Sequence, residues 1–143
     1  MILVSACLLG ENCKYNGGNN DNPCVKAYLA GKEYVAVCPE TFGGLKSPRD
    51  PAEIRGGRVF LKDGTDVTEA FRAGADIVLE MAKKTGATEA ILKEASPSCG
   101  RNLIYDGTFS GTKIKGCGIT VQALLKEGIS VKSEQDLEKE QNV

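Results

Sequence analysis

The spacing of apolar positions changes along this chain, and each change marks an element. Met1-Ile2-Leu3-Val4-Ser5-Ala6 is an apolar run ending in small residues, as in a strand buried on both faces. After the Gly/Asn-rich stretch from Gly17 to Asn22, Pro23 suits the first turn of a helix reaching about Ala30, with Gly31 as its stop. Tyr34-Val35-Ala36-Val37-Cys38 is β-branched and aromatic, which predicts a second strand; Pro39 closes it because proline supplies no ladder donor. The Gly- and Pro-rich stretch from Thr41 to Arg55 predicts a long ordered loop, and Arg58-Val59-Phe60-Leu61 a short strand before a turn at Lys62-Asp63-Gly64-Thr65.

From Val67 to Lys84 the apolar residues Phe71, Ala75, Val78, Leu79 and Ala82 recur every three or four positions, with Asp66 or Thr65 able to cap the start and Gly86 at the stop. This predicts an amphipathic helix lying on a sheet. Glu89-Ala90-Ile91-Leu92 predicts another strand, and the polar, Gly-rich segment from Ser96 to Gly118 a second functional loop. Ile119 to Lys126 predicts a helix ended by Gly128, and Ile129-Ser130-Val131 a last strand. Strands alternating with helices at these lengths imply a single α/β domain over residues 1–133: a doubly wound, mostly parallel sheet of the Rossmann-like or flavodoxin-like kind, with helices on both faces. The charged segment 134–143 is expected to be a helical or frayed tail.

Composition narrows the function. The chain has 143 residues, 41% of them hydrophobic, with 18 basic against 19 acidic residues. Such a length buries a core without disulfide staples, and balanced charge gives no footprint for tight nucleic-acid binding. No apolar run approaches the length of a membrane span and no cleavage-type leader opens the sequence, so the expected location is the cytosol. There, six cysteines point to metal or redox chemistry rather than a disulfide framework. The absence of histidine removes the commonest general base and the commonest nitrogen ligand.

Three of the cysteines share a position. Cys7 follows the first strand, Cys38 ends the second, and Cys99 lies in the loop leaving the strand Glu89–Leu92. The carboxyl ends of parallel strands form the ligand crevice of an open sheet, so these thiols meet there if their strands are neighbours. Zinc commonly takes four ligands in close Cys-x-x-Cys pairs, and this chain has no such pair. Thiolates alone suit an iron–sulfur cluster, and three ligands on a cubane leave one iron open as a Lewis acid.

Ser5-Ala6-Cys7-Leu8-Leu9-Gly10, Val37-Cys38-Pro39-Glu40 with Gly43-Gly44-Leu45 and Pro48-Arg49, and Leu92 through Gly100 with its Ser-Pro-Ser-Cys core resemble the motifs of the thiouracil desulfidase family. The likeness continues through Tyr105-Asp106-Gly107-Thr108-Phe109. The resemblance implies a [4Fe–4S] cluster held by Cys7, Cys38 and Cys99, a thiolated nucleobase as substrate, and catalysis by Glu40 with Ser96 or Ser98. It implies non-redox removal of sulfur as sulfide.

A second reading is a carrier that holds sulfide or a cluster for sulfur trafficking or tRNA thiolation, in which Glu40 is dispensable. A third is a thiol-redox or zinc-regulated protein with a reversible Cys7–Cys13 pair. Cys13 reads as packing or structural; Cys117 could close a four-thiolate site; Arg49, Lys93 and Glu94 are weak candidates for orienting substrate, since charged residues near strand ends are usually solvated.

Overall fold

In the computed structural model, residues 1–141 are described. The elements are β1 (Ile2–Ser5), α1 (Pro23–Leu29), β2 (Tyr34–Val37), α2 (Pro39–Phe42), β3 (Ala52–Arg55), β4 (Arg58–Leu61), α3 (Thr68–Thr85), β5 (Glu89–Leu92), β6 (Leu103–Tyr105), β7 (Lys113–Lys115), α4 (Ile119–Lys126), β8 (Ser130–Ser133) and α5 (Glu134–Gln141). A 3₁₀ turn, Ala6–Leu9, follows β1 directly.

The central sheet has four strands in the order β2-β1-β5-β8, and every pairing in it is parallel. Side chains alternate between its faces. Leu3, Val37, Ala90, Leu92 and Val131 face Val78 and Ala82 of α3 and Val121 and Leu124 of α4. Ile2, Val4 and Ile91 face Val25 and Leu29 of α1 and Leu137 of α5. Both faces are covered by helices, which is the doubly wound α/β arrangement expected from the sequence.

Several local expectations are corrected. Pro39 ends β2 but also opens α2, because its fixed φ and missing N–H suit the first helical position. The stretch from Thr41 to Arg55 is not a continuous loop: it holds the end of α2 and all of β3, which forms an antiparallel hairpin with β4 around Gly56 and Gly57. The segment from Ser96 to Gly118 contains the hairpin of β6 and β7. Those three-residue strands are too short to impose a period, and β7 is exposed throughout. The last strand begins at Ser130, one residue late, and runs to Ser133. The segment after Ser133 is helical to Gln141 and buries Leu137 against α1; its final two residues lie outside the described ones.

The stop signal of the long helix acts as the sequence implies, but its start is corrected: Val67 takes the N-cap position with no side-chain cap, and Asp66 instead accepts a bond in the turn leading into the helix. The Thr68 N–H donates to Asp66 Oδ1 at 2.9 Å, and Gly86 closes α3 in the left-handed conformation. A pair of glycines brings α2 onto α3. A Cβ at Gly74 would lie 1.8 Å from the Pro39 carbonyl oxygen, and one at Gly43 would lie 2.0 Å from that of Ala70. The backbones therefore meet at a distance no side chain permits, which fixes the short helix carrying Glu40. Among the described residues, no helix is long and apolar enough to cross a membrane.

Candidate thiol-lined active site

Because β1 lies between β2 and β5, the three segments that leave these strands are neighbours. Cys7 sits in the 3₁₀ turn after β1, Cys38 at the N-cap position of α2 after β2, and Cys99 in the loop after β5. From β1 the chain passes to α1 on one face of the sheet, and from β5 it leads on to α4 on the other. The divergence opens a crevice at the carboxyl ends of the strands. A cavity of about 380 Å³ occupies it, lined by Cys7, Cys38, Cys99, Glu40, Ser96 and Ser98, and also by Cys13. Its outer wall comes from the two hairpins, through Ala52, Glu53 and Leu61 of one and Tyr105 and Lys113 of the other.

The thiols have unlike electrostatic settings. A hydrogen bond from Cys13 is the main force holding the Cys38 thiol down to about 5, with further help from Thr41 and the Arg49 charge; Thr41 Oγ1 donates to Cys38 Sγ at 3.2 Å. Cys7 is lowered by the same neighbour, Cys13, and by Asn20, whose Nδ2 donates to Cys7 Sγ at 3.4 Å. Cys13 is raised because it donates to Cys38 and Cys7. One S–H serves one sulfur at a time, so Cys13 favours the thiolate at Cys7 or at Cys38, and its own thiol is raised in return. Burial pushes Cys99 up to about 12, against the pull of the Ser5 and Ser98 hydroxyls.

Glu40 lies in the first turn of α2 and its carboxylate pairs with Arg49 at 2.8 Å. Arg49 reaches it from the loop before β3, held by bonds to the carbonyls of Lys46 and Cys13, both at 3.1 Å. Burial raises the Glu40 carboxyl above its ordinary range, and the Arg49 charge and hydrogen bond offset only part of that. Arg49 is thus a wall residue of the cavity rather than a solvated charge.

The Cys99 loop hangs on a buried carboxylate. Glu94 Oε1 accepts from the N–H groups of Arg101, Asn102 and Leu103 at 2.9, 2.8 and 3.0 Å, and Oε2 accepts from Asn102 Nδ2 at 2.8 Å. Burial alone would raise Glu94, but the N–H groups of Leu103 and Asn102 outweigh it and hold the carboxyl down to about 2. Glu94 therefore builds the loop and does not face substrate as a free carboxylate. Lys93 is drawn to Glu134 at 3.2 Å. Ser98 is only 1% exposed, whereas Ser96 is half-buried at the cavity wall.

Cys117 does not reach this cavity. It lies beside Arg101, its thiol donating to the Arg101 carbonyl at 3.2 Å, and lines a separate surface depression with Lys115 and Lys139. It cannot complete a four-thiolate site with the other three. The fourth thiol at the cavity is Cys13, whose position six residues after Cys7 gives no metal-type spacing in the sequence. Asn20 and the hairpin residues Glu53 and Lys113 left no signal either, because antiparallel pairing and loop return bring them in.

Among the described residues, no group of three or more His, Cys, Asp or Glu side chains stands close enough to hold a single metal ion. The thiols instead surround a volume, and Cys7 and Cys38 lie where the thiolate is favoured. Such a sulfur-only donor set around a cavity fits an iron–sulfur cluster better than a closed zinc site.

A family model for 2-thiouracil desulfurase matches residues 2–136. The chain belongs to the 2-thiouracil desulfurase family. All the cavity-lining residues named above fall within the matched span. The protein YbbK of Bacillus subtilis (strain 168) is 44% identical over 147 aligned positions, covering 96% of this chain and 97% of its own. The solved structure of the [4Fe-4S]-dependent thiouracil desulfidase TudS superposes with a TM-score of 0.91 at 42% identity, covering 96% of this chain and 93% of that one. The α/β fold is thus shared with the TudS structure over nearly the whole chain.

Proposed function

We propose that this protein is a [4Fe–4S]-dependent desulfidase that removes sulfur from 2-thiouracil or a closely related thiolated pyrimidine, with Cys7, Cys38 and Cys99 as the cluster ligands. The observation that carries the reading is the convergence of those thiols, from three neighbouring strands, on one cavity that also contains Glu40 and Ser96. The family membership and the likeness to TudS support the activity and the cofactor. With three protein ligands, a bound cluster supplies one thiophilic, Lewis-acidic iron toward the thiocarbonyl sulfur.

The net reaction replaces sulfur by the oxygen of water. The C=S bond breaks, a C=O bond forms, and sulfur departs as sulfide with the protons of water, so no electron donor is required. Glu40 and Ser96 handle those protons. In its ionised form, which the Arg49 contact favours, the carboxylate accepts a proton from the attacking water. The Ser96 hydroxyl offers a hydrogen bond to the ring. Cys13 lines the same cavity as Cys7 and Cys38, which raise its thiol and so favour its protonated form.

Anaerobic assay of 2-thiouracil conversion, following uracil and sulfide together, tests the proposal. Equal amounts of the two products from wild type, with turnover lost in Glu40→Gln while iron content is unchanged, support it. Undiminished sulfide transfer by Glu40→Gln points instead to a carrier.

A further inference from the structure

The hydrogen-bond donors and acceptors of the Cys99 loop can be counted, and the count gives them a direction. Ser96 Oγ accepts from the Ser98 N–H at 3.2 Å and from the Cys99 N–H at 3.1 Å. A hydroxyl oxygen has two acceptor positions and one hydrogen. Both acceptor positions of Ser96 are therefore used, and in its 3.0 Å contact with Ser98 Oγ Ser96 must be the donor. The Ser98 oxygen is then the acceptor, and its own hydrogen is free for Cys99 Sγ, 3.6 Å away. The chain runs one way, from the cavity wall through Ser96 and Ser98 to the sulfur of Cys99.

We infer that Ser98 is a positioning residue that couples the Ser96 hydroxyl at the cavity wall to the sulfur of Cys99, and so tunes that sulfur as a ligand. This inference rests on the functional reading above. The two serines, two positions apart in one motif, have different tasks: Ser96 faces the substrate space, and Ser98, almost wholly buried, acts through its neighbours.

The backbone holds Ser98 for this task. Its carbonyl accepts from the N–H groups of Thr120 and Val121 in the first turn of α4, at 3.0 and 3.3 Å. A Cβ at Gly118 would lie 2.4 Å from the Ser98 carbonyl carbon, so only glycine allows α4 to press this close. The Ser98 backbone cannot shift away from Cys99 without moving the helix. A hydrogen bond to a ligand sulfur draws electron density from it and favours the reduced cluster, which raises the reduction potential. When Ser96 donates to a bound ring instead, the Ser98 oxygen loses its donor and the bond to Cys99 weakens; occupancy of the cavity is felt at that ligand.

The test uses Ser98→Ala, Ser98→Thr and Ser96→Ala, each reconstituted without oxygen. Iron and labile sulfide are counted first, and the midpoint potential is then read by a titration followed by electron paramagnetic resonance. The expected result is a full complement of iron in Ser98→Ala with a more negative potential, a wild-type potential in Ser98→Thr, and a smaller negative shift in Ser96→Ala. Wild-type potential in a fully loaded Ser98→Ala overturns the inference and leaves Ser98 as a cap for its turn. If Ser98→Ala does not hold iron, the Ser96→Ala variant decides by the presence or absence of its shift. Wild type without iron overturns the functional reading itself, and this inference with it.

Discussion

The Arg49 guanidinium stands 2.8 Å from the Glu40 carboxylate, with only 10% and 18% of the two side chains exposed. It joins a loop residue to the helix that follows Cys38, so one ion pair both fixes the carboxylate and closes that side of the cavity. Removing the cation leaves a buried acid without its partner. Arg49→Ala is expected to cost about 3 kcal/mol, the scale for breaking a buried pair, measured by urea unfolding. A loss below about 0.5 kcal/mol, the range of an exposed pair, would show that solvent screens it.

Glu94 makes acid stability predictable. Its carboxyl is held near 2 against an ordinary value of 4.5; the lowered value means that the folded state favours the ionised form. The contribution is fully present above pH 4.5, amounts to about 3 kcal/mol at 1.36 kcal/mol per unit, and is lost as pH falls towards 2. Urea unfolding of wild type and Glu94→Gln should differ most at neutral pH and converge near pH 2. A gap that stays constant across this range would contradict the assignment.

The close approach of α2 and α3 yields a third expectation. Gly74→Ala places a methyl group 1.8 Å from the Pro39 carbonyl oxygen, so the helix bearing Glu40 must shift. Overpacking of this kind costs about 1–3 kcal/mol, read as a lower midpoint in urea, and the displaced α2 should also reduce iron uptake on reconstitution. Full iron content and unchanged stability would mean that α2 relaxes freely.

Cysteines outside the cavity serve as controls. Cys24 lies on α1, and Cys117 lies beside Arg101; neither lines the thiol-bearing cavity. Cys24→Ala and Cys117→Ala are expected to retain iron and labile sulfide at wild-type levels after anaerobic reconstitution. Loss of cluster in Cys117→Ala would revive it as a ligand.

How much of this was legible in the sequence follows the range of the interactions. Elements governed by local pattern were readable: β1 from its apolar run, α3 from its three- and four-residue spacing and Gly86, β5 from Glu89–Leu92. The three thiols were readable as a set because each lies at or beyond the carboxyl end of a strand-like run, Cys99 in the loop that follows it. β4 was readable at Arg58–Leu61, but its partner β3 and the β6–β7 hairpin were hidden in Gly-rich segments, since very short antiparallel strands depend on a partner and not on a period. For the same reason Lys113 gave no sign of its place in the cavity wall. Arg49 and Glu94 look like ordinary charges in sequence; only burial against specific partners, a carboxylate for one and three backbone N–H groups for the other, gives them their roles.

The central claim is tested most directly by counting iron and acid-labile sulfide per chain, with the visible spectrum, in protein purified and reconstituted without oxygen. A Cys7/Cys38/Cys99→Ala variant is measured beside it. The account predicts about four of each per wild-type chain and almost none in the variant. A reconstituted wild type with no cluster, or a variant that binds as much iron as wild type, would contradict it.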